Sequence, residues 1–207
     1  MNLTERIKEI ENSDVGREIE SRINEFKAFR EKDDLEWFSE LCFCLLTANS
    51  KAESAINIQN ELGIKGFVEY NEEEVKKVIR NNNHRFHNNK ARFIVNARQY
   101  LEVKKIVQKK GEKEAREWLV NNIKGMGWKE ASHFLRNVGY LNVAILDRHI
   151  LRIMKENGMI KEIPKGWTKQ KYHDIEEKLY GIAKELNMEP GKLDMYMWYM
   201  KTGKVLK

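Results

Sequence analysis

Apolar residues recur three and four positions apart along nearly the whole chain, and strand-like alternation is hard to find. Leu3, Ile7 and Ile10 mark a first short helix, with Asn2 and Glu5 at capping-box positions. Residues 15–29 read as a second helix capped by Asp14, 34–47 as a third, and 50–62 as a fourth ended by Gly63. Segments 72–79 and 90–107 follow, separated by the polar stretch RNNNHRFHNN. A helix over 112–123 then leads through KGMG into another over 128–138, with Gly139 in a C′ position. YLNVAIL is a short apolar connection, and Asp147 caps a helix that Gly158 ends. Residues 168–186 form a long helix, and the last helix starts at Pro190, a favoured first-turn residue. The pattern predicts an all-α fold without repeats.

Composition narrows this picture only a little. The 207 residues suffice for one large domain or two small lobes, and two prolines and twelve glycines leave few breaks in the helices. The longest apolar run, LCFCLLTA, is far too short to span a membrane, and the charged N-terminus lacks a signal peptide's apolar core. The chain is therefore expected to be intracellular. Cys42 and Cys44 lie inside that apolar run and are expected to be buried thiols; two cysteines fall short of an iron–sulfur cluster. The five histidines are scattered, so no metal site built from side chains is expected. A net charge of +6 suits a polyanionic partner without requiring one.

The stretch IKGMGWKEASHF carries more. Two helices joined through KGMG form a helix–hairpin–helix, in which Gly125, Met126 and Gly127 make the turn. Glycines permit positive φ and expose backbone N–H groups, which with a helix N-terminus suit a DNA phosphate; an ordinary αα-hairpin would use the same residues. Lys129 lies in the first turn of the second helix, where the helix dipole disfavours a cation. An exposed charge is one reading. A nucleophile is the other, because positive surroundings favour the neutral amine that attacks carbon. Asp147, eighteen positions on in VAILDRHIL, is a plain N-cap on one reading. A carboxylate held there would also stay ionised, able to support a developing oxocarbenium ion or to shuttle protons. In the last helix Asp194 and Trp198 stand one turn apart on one face, while Met195, Met197 and Tyr199 read as core. Asp194 has no evident place in a core, and its carboxylate would suit the N1–H and exocyclic amine of a guanine-type base.

Taken together, IKGMGWKEAS and VAILDRHIL resemble the hairpin, lysine and distal aspartate of the helix–hairpin–helix DNA glycosylase/AP lyase superfamily. LLTANSKAESA and RFHNNKARFI resemble its barrel segments, so the likeness covers most of the chain. The cluster cysteines of the endonuclease III and adenine glycosylase branches are absent, and the short chain ending in lysine is most similar to the archaeal type-2 8-oxoguanine DNA glycosylases. The resemblance implies two helical lobes, residues 34–140 and residues 1–33 with 141–207, with the active site in the cleft between them. It implies a bifunctional enzyme that flips and excises 8-oxoguanine through a Schiff base on Lys129, supported by Asp147, and then cleaves the strand by β-elimination. Asn49 and Phe86 take the positions where relatives insert wedges into the duplex, and Asp194 with Trp198 the positions of base recognition. Lys207 would bring its α-carboxylate to the N7–H that distinguishes 8-oxoguanine from guanine. The implied partner is double-stranded DNA bearing oxidised guanine, met as a monomer beside the genomic DNA, with no membrane role. No cofactor or iron–sulfur cluster is implied; an alkali cation bridging hairpin carbonyls to a phosphate is left open. Two rivals stand beside this reading: a glycosylase/lyase for oxidised pyrimidines, and a non-catalytic protein that uses its hairpin only to hold DNA.

Overall fold

The structure, a computed structural model, describes residues 2–207, and among these every regular element is helical. The helices are α1 (Leu3–Glu11), α2 (Asp14–Ala28), α3 (Asp34–Thr47), α4 (Ala52–Glu69), α5 (Glu72–Asn81) and α6 (His87–Ala97). They continue with α7 (Val103–Gln108), α8 (Glu112–Asn122), α9 (Trp128–Asn137), α10 (Arg148–Glu156), α11 (Lys169–Glu185) and α12 (Pro190–Thr202). The chain divides into two compact units, one of Arg30–Phe134 and one of Met1–Phe29 with Leu135–Lys207. No helix among the described residues is long and apolar enough to cross a membrane.

The Arg30–Phe134 unit is built around α3. Every residue of α3 from Trp37 to Thr47 is buried, as a helix apolar on all sides must be. Helices α4, α6 and α7 lie against it. Asp33 starts it with a full capping box: its carboxylate accepts from the amides of Leu35 and Glu36, both at 2.9 Å, and Glu36 reaches back. Cys42 and Cys44 are buried free thiols in this helix, as their apolar setting predicts, and burial pushes the Cys42 thiol well up.

The second unit is built around α12, which packs on α1, α2, α10 and α11. Residues 142–146 pass through it as buried extended backbone without a sheet partner, so their polar groups need side chains instead. Tyr172 supplies two: its hydroxyl donates to the Ala144 carbonyl (2.9 Å) and accepts from the Leu146 amide (3.3 Å). Glu176 accepts from the Ala144 amide at 3.2 Å. This bracing delivers the chain to Asp147 at the start of α10.

Three local expectations need correction. The cap of α2 is Ser13, whose hydroxyl accepts from Gly16; Asp14 is already the first helical residue. The fourth helix breaks at Gly63 (φ 57°) as expected, but resumes over residues 64–69, where Phe67 is fully buried and so is drawn into the core. The run 90–107 is not one helix. It begins earlier, at His87, and breaks at Arg98–Tyr100, where the Arg98 guanidinium turns to the Phe67 carbonyl at 2.8 Å.

Candidate active site

Helices α8 and α9 form the hairpin that the sequence predicts, and a buried arginine braces it. Arg116, fully buried on α8, donates to the Ser132 hydroxyl on α9 at 3.2 Å, and its guanidinium lies 5.4 Å from the centroid of the Trp128 ring. The two glycines of the turn do different things. Gly125 has φ +88°, and a Cβ there would come within 2.2 Å of the Phe93 ring. That aromatic face on α6 therefore packs directly on the turn. Gly127 has no such backbone; a Cβ there would meet only the Glu130 carboxylate, at 3.0 Å. Met126 between them is buried and donates its amide to Ile123 at 3.1 Å.

Lys129 follows in the first turn of α9, with its side chain 23% exposed and so both supported and reachable. Its surroundings are not simply positive, as the sequence argument supposed. The Glu130 carboxylate stands 3.4 Å from its Nζ, and the other oxygen of that carboxylate accepts from the Gly127 amide at 3.2 Å. Behind them lies Lys90 of α6, 5% exposed, whose Nζ donates to the Leu45 carbonyl at 2.6 Å. Burial holds the Lys90 amine down to about 8; the charge of Glu130 opposes that and the charge of Lys129 adds to it. Neither residue was picked out in the sequence. The signals were there: Glu130 follows Gly127 at capping-box spacing, and Lys90 falls in line with the apolar face of Ala91, Ile94 and Ala97.

Asn49 and Phe86 sit on two connections joined by one histidine. Asn49 is exposed at φ 59°, just past the end of α3. Phe86 is half-buried at the start of α6, with the Arg85 guanidinium 4.4 Å from its ring centroid. His84, 2% exposed, donates from Nε2 to the Leu46 carbonyl at 2.9 Å and accepts the Phe86 amide at Nδ1, 3.2 Å. A carbonyl only accepts and an amide only donates, so these partners fix the neutral Nε2–H tautomer. Burial also lowers the proton affinity of this ring.

The remaining candidates belong to the other unit. Asp147 caps α10 with one oxygen, Oδ1, which accepts from the His149 and Ile150 amides at 2.8 Å each. Oδ2 takes no part in the cap, so capping leaves half the carboxylate for other work. His149 stands edge to face with Trp198 at 6.3 Å, which brings the start of α10 beside that half-buried tryptophan of α12. Asp194 does have a place in the core. It is 7% exposed and bonded at 2.7 Å to Arg136, which also holds Asn137 and lies over Phe26. Met195 and Met197 are core as expected, whereas Tyr199 is only half-buried. Lys207 is half-buried beyond Gly203, the left-handed cap of α12. Among the described residues no group of three or more His, Cys, Asp or Glu gathers where it could hold a metal ion.

A family model described as 8-oxoguanine DNA glycosylase matches residues 19–188, most of the chain. The chain belongs to that family. It is 52% identical to an 8-oxoguanine DNA glycosylase/AP lyase of Methanocaldococcus jannaschii, with all of both chains covered. Its likeness to the enzyme of that name from Thermotoga maritima is 48%, over 91% of each. Among solved structures it resembles the M. jannaschii glycosylase/lyase in complex with a 15mer DNA containing 8-oxoguanine, with a TM-score of 0.97, 51% identity and 99% of each chain covered. The T. maritima 8-oxoguanine DNA glycosylase gives a TM-score of 0.94 at 45% identity, covering 99% of this chain and 98% of that one. These family members are all-helical neighbours of an all-helical chain, which settles the fold class.

Proposed function

We propose that this chain excises 8-oxoguanine from double-stranded DNA and then cuts the strand at the resulting site, using Lys129 as nucleophile. The observation that carries the reading is the hairpin itself. Gly125 makes a turn that no other residue fits, and Lys129 projects, part-exposed, from the first helical turn after it. Amides of a helix's first turn lack intrahelical partners and suit a phosphate oxygen, so a bound strand places its sugar near that amine. The names and DNA-bound structure of the relatives support the choice of substrate.

In the reaction the neutral Lys129 amine attacks C1′ of the flipped nucleotide, and the N-glycosidic bond breaks with its electron pair leaving on the base. Opening of the sugar gives a Schiff base between Nζ and C1′. That iminium acidifies C2′–H; loss of the proton expels the 3′ phosphate by β-elimination. Asp147, with Oδ2 uncommitted, balances the developing positive charge and carries protons. Trp198, Asp194 and Lys207 serve recognition of the base, and Asn49 and Phe86 fill the space it vacates in the duplex. Asp194 does so as the anionic half of its pair with Arg136.

Borohydride trapping tests the nucleophile. With a duplex carrying one 8-oxoguanine, wild-type protein should yield a covalent adduct, and Lys129→Gln should bind the duplex yet yield none. An adduct of normal yield in Lys129→Gln would remove Lys129 from the role.

A further inference from the structure

Lys90 is an expensive residue where it stands. Its ammonium is 5% exposed, its side chain bonds one backbone carbonyl, that of Leu45, and no carboxylate lies within ion-pair distance. A buried cation without a paired anion costs several kcal/mol on general grounds, and a methionine would fill such a volume for less. One account is local: the carbonyls ending α3 need donors, and Lys90 supplies one. That account does not need a charge.

The placement of α6 suggests what the charge is for. Lys90 and Phe93 are three residues apart, hence on one face of α6, and Phe93 packs on the hairpin turn at Gly125. The charges that act on Lys90 from α9 are those of Lys129 and Glu130; on its other side stands His84, whose ring feels both Lys90 and His87. Glu130 meanwhile holds its carboxylate against the Lys129 amine, which favours the protonated form that cannot attack carbon.

We propose that Lys90 is a positioning residue for Lys129: its buried amine supplies a second positive charge behind the hairpin that offsets Glu130 and keeps the Lys129 amine available as the nucleophile. This rests on the reading of Lys129 as the nucleophile. The low proton affinity of Lys90 itself, held to about 8, is the reciprocal sign of the same repulsion together with burial.

Two substitutions separate charge from capping. Lys90→Gln keeps an N–H donor for Leu45 and removes the charge; Lys90→Met removes both. The measurement is the single-turnover rate of borohydride trapping on a duplex with a pre-formed abasic site, taken across pH. In both variants the acid limb of the profile should move up by about one pH unit, a size ordinary for a neighbouring charge, so trapping at a fixed pH on that limb falls about tenfold. The alkaline plateau and duplex binding should stay as in wild type. Glu130→Gln, which keeps an acceptor for Gly127, should move the limb the opposite way. An unmoved limb in a folded Lys90→Gln, or an equal loss at every pH, overturns the proposal. Should neither Lys90 variant fold, NMR of 13C-lysine-labelled wild type and Lys129→Gln decides instead. The lysine that titrates near pH 8 should titrate higher once Lys129 is gone, and an unchanged titration overturns the proposal. Normal trapping by Lys129→Gln would sink the nucleophile reading. Loss of trapping there with unmoved Lys90 limbs would sink this inference alone.

Discussion

At the scale of single residues, the chemistry concentrates on side chains whose local role does not use them up. Asp147 is the clearest. Asparagine is nearly as good an N-cap as aspartate, so Asp147→Asn should change stability by well under ~1 kcal/mol. If Oδ2 serves the reaction, single-turnover excision should still drop several tens-fold or more, the order that positioned acid–base groups contribute. Near-normal rates in a stable Asp147→Asn would leave the residue as a cap alone. Asp194 calls for a different expectation, because it neutralises a buried arginine. Asp194→Ala strands Arg136 and should cost about 3–5 kcal/mol, seen as a lower denaturation midpoint; a loss below ~1 kcal/mol would show the pair to be idle. Lys129 and Asp147 were legible in the sequence because each breaks a local habit: a lysine at the wrong end of a helix, and a cap within a motif of known spacing. The partner of Asp194 was not. Arg136 lies 58 positions away, and nothing local marks the two as a pair.

At the scale of elements, the hairpin and the two wedge segments depend on specific backbone states. Gly125→Ala puts a Cβ both at φ +88° and into the Phe93 ring. The conformational and steric terms together should cost about 2–4 kcal/mol, whereas Gly127→Ala, facing only the movable Glu130 side chain, should cost less than ~1 kcal/mol. Equal denaturation midpoints for the two would refute the distinction. His84 ties the Asn49 and Phe86 connections through its neutral ring, so protonation must break the bond from the Phe86 amide. Hydrogen exchange at that amide, corrected for its intrinsic pH dependence, should accelerate relative to its neighbours as pH falls below about 6.5, the ordinary imidazole value. Unchanged relative protection down to pH 5 would show that His84 does not hold the segment. Most elements were visible from periodicity and caps: α3 spans the residues expected, and Asn2 and Glu5 make their capping box. The misses came where tertiary contacts decide. Arg98 breaks a periodic run by reaching the Phe67 carbonyl, and Phe67 pulls a helix onward past a glycine that should have ended it.

At the scale of the whole molecule, the candidate residues are shared between the two contact-defined units, Lys129 with the hairpin in one and Asp147 with Trp198 in the other. The sequence expectation drew these boundaries near 34 and 140 from resemblance, since no linker composition marks them; the division by contacts falls within α9, where periodicity runs on unbroken. What the sequence could not disclose at all is the cost of burying Lys90, and that cost should register in global stability. Its amine releases its proton near 8 in the folded chain and near its ordinary value of 10.5 once unfolded. Below about pH 8 both states hold the proton and the full penalty applies. Between 8 and 10.5 the unfolded chain binds more protons than the folded one, so stability gains from this group as pH rises. The Cys42 thiol acts the other way: burial makes the folded chain keep its proton above the ordinary value of 9.0, so its contribution is lost as pH rises past that value. Wild type alone would blur the two. The difference between wild type and Lys90→Met cancels Cys42 and isolates the lysine. Lys90→Met should be at least as stable as wild type at pH 7, because a methionine pays no charge-burial penalty. From pH 7 to pH 9 wild type should gain on the variant by about 1.4 kcal/mol, one pKa unit's worth, read from urea denaturation at the two pH values. A difference that does not change with pH would mean that Lys90 is not a weakly basic buried amine in the folded protein.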